Sequence, residues 1–296
     1  MSGTARAYVV ADVFTDVALA GNPVAVFTAA EGLSAAIMQR LARELNLSET
    51  VFLFGDETGG ADARARIFTP AVELPFAGHP LLGTAFVVGE RSGADAVRLL
   101  TGAGIVPIVL RREGGAIVFG EMTQPVPTWA LYDRPDTLLE ALGVPGSELP
   151  IEVYDNGPRH VLVMAGDERV VAGLRPDLGA LAALGPLGVS CFAERVAGAA
   201  AGGASPGARR FTTRMFAPGL GVAEDPATGS AAGPLAVHLA RHRRIAYGER
   251  IEISQGAQIG RPSTLHAVVE GSEERIERVA VGGGAVIVAR GEFIVG

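Results

Sequence analysis

The chain has 296 residues, 48% of them hydrophobic and 19% charged, with a formal net charge of −7. This length suits one large or two medium domains, and the composition excludes a disordered chain and argues against a nucleic-acid partner, which calls for a basic face. Mean hydropathy is +0.31, but Ala and Gly inflate it, and no stretch reaches the about 18 apolar residues that span a bilayer.

In chain order, the first residues meet Arg6 and Asp12 too early for a secretory signal, so a cytoplasmic protein without a membrane partner is expected. Residues 8–14 and 23–27 read as strands, with Ala20-Gly21-Asn22 as the turn between them. Ser34 is a suitable N-cap for a helix to about Leu45, with Ile37, Leu41 and Leu45 along one face. Residues 50–54 and 61–68 follow as strands. The run from Pro80 to Gly89 is apolar on every side, and residues 98–110 and 115–119 resume the β pattern. Residues 136–142 form a short helix, residues 151–154 and 160–164 are strands, and a loose helical stretch lies near 178–184. Cys191, the only cysteine, allows no internal disulfide and no all-thiol metal site, and its alternating surroundings suit a buried, inert thiol. Residues 197–208 contain only Gly, Ala, Ser and Pro and read as a flexible loop. Residues 209–216 form a strand and residues 230–240 a second all-round apolar helix. Residues 251–254, 264–269, 276–281 and 285–288 close the chain as strands.

Two features organise these elements. Arg66-Ile-Phe-Thr-Pro70 returns half a chain later as Arg214-Met-Phe-Ala-Pro218, and each copy is followed by a Pro-x-x-Gly turn. The turns, at Pro75–Gly78 with His79 and Pro226–Gly229 with Ser230, each open one of the apolar helices. Repeated signals at one offset point to two similar halves. A helix without a polar face has to be wrapped by other elements. The expected fold is therefore α+β: two similar domains, each a β-barrel-like sheet around a central apolar helix. The expected bounds are residues 1–122 and 128–284, separated by the Pro-rich segment 123–127. A final strand within 285–296 is left open to return to the first domain.

The same turns could carry chemistry. Gly78 and Gly229 precede helix ends whose free amides favour a carboxylate or phosphate, though a helix cap alone explains them equally well. Glu224 and Asp225 lie in a loop with little else polar, where a carboxylate has a raised pKa and can move protons. Glu73 is a weaker candidate of the same kind, and Glu49, taken alone, reads as a surface carboxylate. His238 and His242 have metal-ligand spacing but lack the zinc-protease glutamate and flank Arg241, so no metal is expected. His160 and His266 fall in β patterns and read as packing or surface residues. No dinucleotide fingerprint and no serine nucleophile elbow is present.

At these residues the chain resembles the PhzF family, named for phenazine biosynthesis and similar in fold to diaminopimelate epimerase. The matching segments run nearly end to end. They comprise residues 13–16, 21–26, 47–52 and 66–70, then 73–80 and 224–230, and finally Gln255-Gly with Gly260-Arg-Pro262. Ala77 and Leu81 depart from the Cys and Thr that relatives often carry. The resemblance implies an active site between two barrel-like domains, with Glu49 as general acid/base, which displaces the surface reading of that residue. Ser48, Gly78, His79, Asp225, Gly229 and Ser230 match the family's other site positions. The paired turns lack the two cysteines of the epimerase, so a two-thiol racemase is unavailable.

The implied reaction is a cofactor-free isomerisation of a small cyclic or unsaturated amino or hydroxy acid. It is similar to the proton shift within trans-2,3-dihydro-3-hydroxyanthranilate catalysed in phenazine formation. Glu49 would move the proton, and His79 and Asp225 would hold amino, hydroxyl or ketone groups. The amide ends at Gly78, Gly229 and Ser230 would hold the carboxylate, and closure of the halves would exclude water. The alternatives are a non-catalytic binder of small carboxylates and a carboxylate-based racemase. A homodimer is carried over from the family.

Overall fold

The computed structural model describes residues 3–56, 59–195 and 208–295. Residues 197–207 of the small-residue stretch lie outside these. The chain separates into two compact units, Met1–Thr123 with Gly282–Gly296, and Gln124–Val281. Strands and helices mix in both, an α+β arrangement. None of the described helices is long and apolar enough to cross a membrane.

The first unit contains β1 (Thr4–Val13), β2 (Asn22–Phe27), α1 (Ala35–Leu45), β3 (Glu49–Phe54), β4 (Ala63–Phe68), β5 (Glu73–Leu74), α2 (Gly78–Ser92), β6 (Ala96–Thr101), β7 (Gly104–Glu113) and β8 (Ala116–Gln124). The second contributes β9 (Thr128–Leu131), α3 (Pro135–Leu142), β10 (Glu152–Asp155), β11 (Arg159–Met164), α4 (Glu168–Gly173), α5 (Leu178–Ala183), β12 (Gly188–Glu194), β13 (Arg209–Ala217), β14 (Val222–Asp225), α6 (Gly229–Arg241), β15 (Arg250–Gln255), β16 (Ser263–Gly271) and β17 (Ile276–Gly283). The chain then re-enters the first unit as β18 (Ala285–Val295), antiparallel to β1 from Val13↔Ala285 to Thr4↔Val295.

In the first unit the sheet is covered on both faces. Ser34 caps α1 by accepting from the Ile37 amide, and Asn46 in the left-handed region ends it. Met38, Leu41 and Ala42 of α1 meet Phe27, Phe52 and Phe68, while Ile37 and Leu45 pack at the margin of that cluster. On the opposite face α2, buried almost all round, packs against β1, β2, β3, β6, β7 and β18. Its close approach needs Gly83, because a Cβ there would lie 2.6 Å from Val24 Cγ1 and 2.7 Å from Val13 Cγ2. Pro80 is the third helical residue, where no intrahelical N–H bond is lost.

The second unit repeats the plan. Leu138, Leu142, Val171 and Leu181 of the short helices cover Val161, Val163, Val189, Cys191 and Phe216 of the strands. Burial pushes the Cys191 thiol pKa up to about 12, as an inert packing residue requires. The central helix is α6, buried from Gly229 to Ala240. Pro234 lies inside α6, deeper than a first-turn position. Its missing N–H would have served the Ser230 carbonyl, which accepts instead from Asn156 Nδ2 at 3.0 Å.

The strand pairings of the two units correspond one for one. β1–β2 matches β10–β11, both antiparallel, and β2–β3 matches β11–β12, both parallel. β3–β4 matches β12–β13, and β4–β5 matches β13–β14. The parallel pair β4–β6 recurs as β13–β15, and β1–β18 recurs as β10–β9. The recurring Arg-x-Phe-x-Pro segments are β4 and β13, so the sequence repeat marks equivalent strands.

Candidate active site

In the first unit, Asn22 opens β2, and Glu49 opens β3 opposite Val24. Side chains two apart on a strand share a face, as do directly paired residues, so Asn22 and Glu49 project together. That face looks toward the start of α2, which carries Gly78 and His79. His79 Nε2 lies 3.3 Å from Glu49 Oε2, and His79 Nδ1 lies 3.3 Å from Asn22 Nδ2. His79 is buried, whereas the Glu49 side chain keeps 16% of its surface exposed. Burial pushes the His79 pKa down to about 3, against a hydrogen bond with the Pro23 backbone. The imidazole beside Glu49 is therefore neutral at physiological pH, so the two side chains do not form an ion pair there. Ser48 is half-buried immediately before Glu49.

In the second unit, the equivalent turn carries Asp225, Thr228, Gly229 and Ser230. Thr228 Oγ1 donates to Asp225 Oδ2 at 2.5 Å. Gln255 Nε2 donates to the Asp225 carbonyl at 2.7 Å and to Thr228 Oγ1 at 3.0 Å, while its Oε1 accepts from the Thr228 amide. Gln124 Nε2 donates to the Gly229 carbonyl at 2.9 Å. His160 Nε2 lies 3.1 Å from Ser230 Oγ, and burial lowers the His160 pKa to about 4. His160 thus belongs to this turn and is more than the packing residue its β pattern suggested. Asn156, Thr228 and Gln255 join it. The sequence signal for His160 and Asn156 is slight, because each is an ordinary polar residue in a turn or at a strand end, whereas Thr228 and Gln255 lie in segments that carry the family resemblance.

Two expected proton-moving carboxylates are otherwise engaged. Glu224 receives Arg214 Nε and Nη2 at 2.8 and 2.7 Å, and Glu73 receives Arg66 Nε and Nη2 at 2.7 and 2.6 Å. The repeated arginines thus bind the acidic residue of the adjoining short strand in each unit. The loop around Glu224 contains few polar groups, but β13 supplies its partner.

His238 and His242 do meet a glutamate, delivered by β10. Glu152 Oε2 lies 3.2 Å from His238 Nδ1, 3.2 Å from His242 Nε2, 2.6 Å from Arg241 Nη1 and 2.7 Å from Tyr154 Oη. Burial would raise the pKa of Glu152, yet hydrogen bonds from His238, Arg241, Tyr154 and His242 hold it well below the usual carboxylate range. The three residues have the proximity of a ligand set, but the Arg241 guanidinium already occupies the shared oxygen and disfavours a cation there.

These turns and strands lie within a segment, residues 11–291, that matches the family model for phenazine biosynthesis-like proteins. The chain belongs to the PhzC-PhzF family. It is 51% identical over 284 residues to the trans-2,3-dihydro-3-hydroxyanthranilate isomerase of Pseudomonas aeruginosa, covering 96% of this chain and 98% of that protein. It is 48% identical over 287 residues to the enzyme of the same name from Pseudomonas fluorescens, covering 97% and 99%. Among solved structures, a PhzF-family phenazine biosynthesis protein of Bacillus anthracis superposes with a TM-score of 0.84, covering 99% of this chain and 100% of that one at 24% identity. This family member is an isomerase.

Proposed function

We propose that the chain isomerises trans-2,3-dihydro-3-hydroxyanthranilate, or a close analogue, with Glu49 as the acid/base. The observation that carries this reading is the Glu49 carboxylate, partly exposed and 3.3 Å from a neutral, buried His79. A neutral imidazole does not tie the Glu49 carboxyl group up in an ion pair, and burial fixes the orientation of the ring. Glu49 takes a carbon-bound proton, and the electron pair left behind shifts the ring double bonds. The same carboxyl group returns the proton to another carbon, and the resulting enol becomes a ketone. Atoms and electrons balance without a redox partner.

His79 and Asp225 are assigned the substrate's amino, hydroxyl or developing ketone groups, and Ser48 a supporting polar contact. The amide ends at Gly78, Gly229 and Ser230 are assigned the carboxylate, by the attraction of helix N-termini for anions. Each unit is read as a barrel-like sheet around its central helix, an arrangement that holds such a helix end rigid.

Solvent deuterium tests the assignment. The protein should convert trans-2,3-dihydro-3-hydroxyanthranilate with incorporation of deuterium at carbon, followed by mass spectrometry. Glu49→Gln should lower the rate by about 10²–10⁴-fold, the usual worth of a positioned acid/base. Full exchange in Glu49→Gln would remove Glu49 from this role. Tight carboxylate binding without exchange by the unaltered protein would make it a binder, and inverted chirality in recovered substrate would make it a racemase.

A further inference from the structure

The pairing correspondence locates the position in the second unit that is equivalent to Glu49 in the first. Phe52 pairs with Arg66, and Cys191 pairs with Arg214. Three residues earlier on each strand stand Glu49, paired with Val24, and Gly188, paired with His160. The position that carries a base in the first unit thus carries no side chain in the second. His160 occupies that space: a Cβ on Gly188 would lie 2.8 Å from His160 Nδ1.

His160 is 3% exposed. Its Nε2 lies 3.1 Å from Ser230 Oγ, and its Nδ1 is buried without a hydrogen-bond partner among the described residues. A buried N–H without an acceptor is rarer and costlier than an unfilled acceptor. Nδ1 is therefore the bare nitrogen, and Nε2 carries the hydrogen and donates it to Ser230 Oγ. With that lone pair engaged, the serine's own proton points elsewhere. The Ser230 carbonyl is also taken, by Asn156. The hydroxyl is left as a donor with one fixed lone pair.

We propose that His160 is a positioning residue that fixes Ser230 as a hydrogen-bond donor toward an anionic oxygen of the substrate, its carboxylate. This rests on the substrate-binding role assigned to Ser230 above. The second unit, lacking the base, uses the vacated position to orient a binding hydroxyl.

The test combines kinetics with nitrogen NMR. His160→Phe keeps the ring volume and removes the donor, and should raise KM about tenfold with a smaller change in kcat, as loss of a charge-assisted hydrogen bond would. Ser230→Ala should do the same, and the double variant should be no worse than either single one. His160→Gln, which offers an amide N–H, should recover most of the loss. Gly188→Ala, which displaces the ring without removing it, should reproduce the rise in KM and guards against a folding defect in His160→Phe. Additive effects, or an unchanged KM with only lowered thermal stability, would overturn the proposal. In protein carrying ¹⁵N-histidine, His160 should be the neutral tautomer protonated at Nε2, and the Nδ1-protonated form would overturn it. The NMR result stands whether or not the protein turns over this substrate, so it separates failure of this inference from failure of the functional assignment.

Discussion

Adjacent residues on a strand face opposite ways, and Glu224 and Asp225 divide their work accordingly. Glu224 meets Arg214, while Asp225 meets Thr228 beside the start of α6. The equivalent pair in the first unit, Arg66 with Glu73, has the same bidentate geometry but lies more in water. Side-chain exposures are 27% and 40% there, against 10% and 11% for Arg214 and Glu224. A buried pair broken on one side leaves an uncompensated charge, whereas an exposed one is re-solvated. Glu224→Gln should therefore cost about 3 kcal/mol of unfolding free energy, and Glu73→Gln less than about 1 kcal/mol. Urea denaturation of both variants checks this, and equal costs would contradict it.

At the scale of elements, the two apolar helices decide the architecture, and their close fit makes a local prediction. Gly83 would ordinarily weaken a helix by about 1 kcal/mol relative to Ala. Here Gly83→Ala should destabilise, by about 1–3 kcal/mol, because the added methyl meets Val13 and Val24 on strands already fixed by pairing. A rise in melting temperature would show that α2 can move away from the sheet. The helices and most strands were legible because apolar runs, caps and alternation are local signals. β9 and α4 were not: all four β9 residues are exposed, so nothing alternates, and α4 has only six residues. The candidate site divides in the same way. His79, Asp225, Gly229 and Ser230 lie in contiguous turns. Glu49 and Gln255 are marked by the family resemblance, and His160 and Asn156 acquire meaning only when the chain folds.

At the scale of the molecule, buried histidines link stability to acidity. Burial lowers the pKa of His79 to about 3 and of His160 to about 4, and also lowers that of His238. The unfolded chain binds these protons below about pH 6.5, where the folded protein does not. Their stabilisation is therefore complete above about pH 6.5 and declines as pH falls toward 4 and then 3. Below about pH 4.5, protonation of Glu152 in the unfolded state adds a further loss, because its folded pKa is depressed. Denaturant midpoints should hold from pH 7.5 to about 6.5 and fall from there to about 4.5, with a shallower slope in His160→Gln. A flat profile would contradict the neutral assignment of these rings.

The pairing of β18 with β1 also has a consequence in time. All of residues 124–281 leave the ribosome before β18, the strand that covers one edge of β1. The contiguous second unit can mature first, while the first unit waits with β1 unpaired on that side. An open edge is where chains stick to one another. The interval before the last strand arrives is thus when a nascent copy most needs shielding from its neighbours.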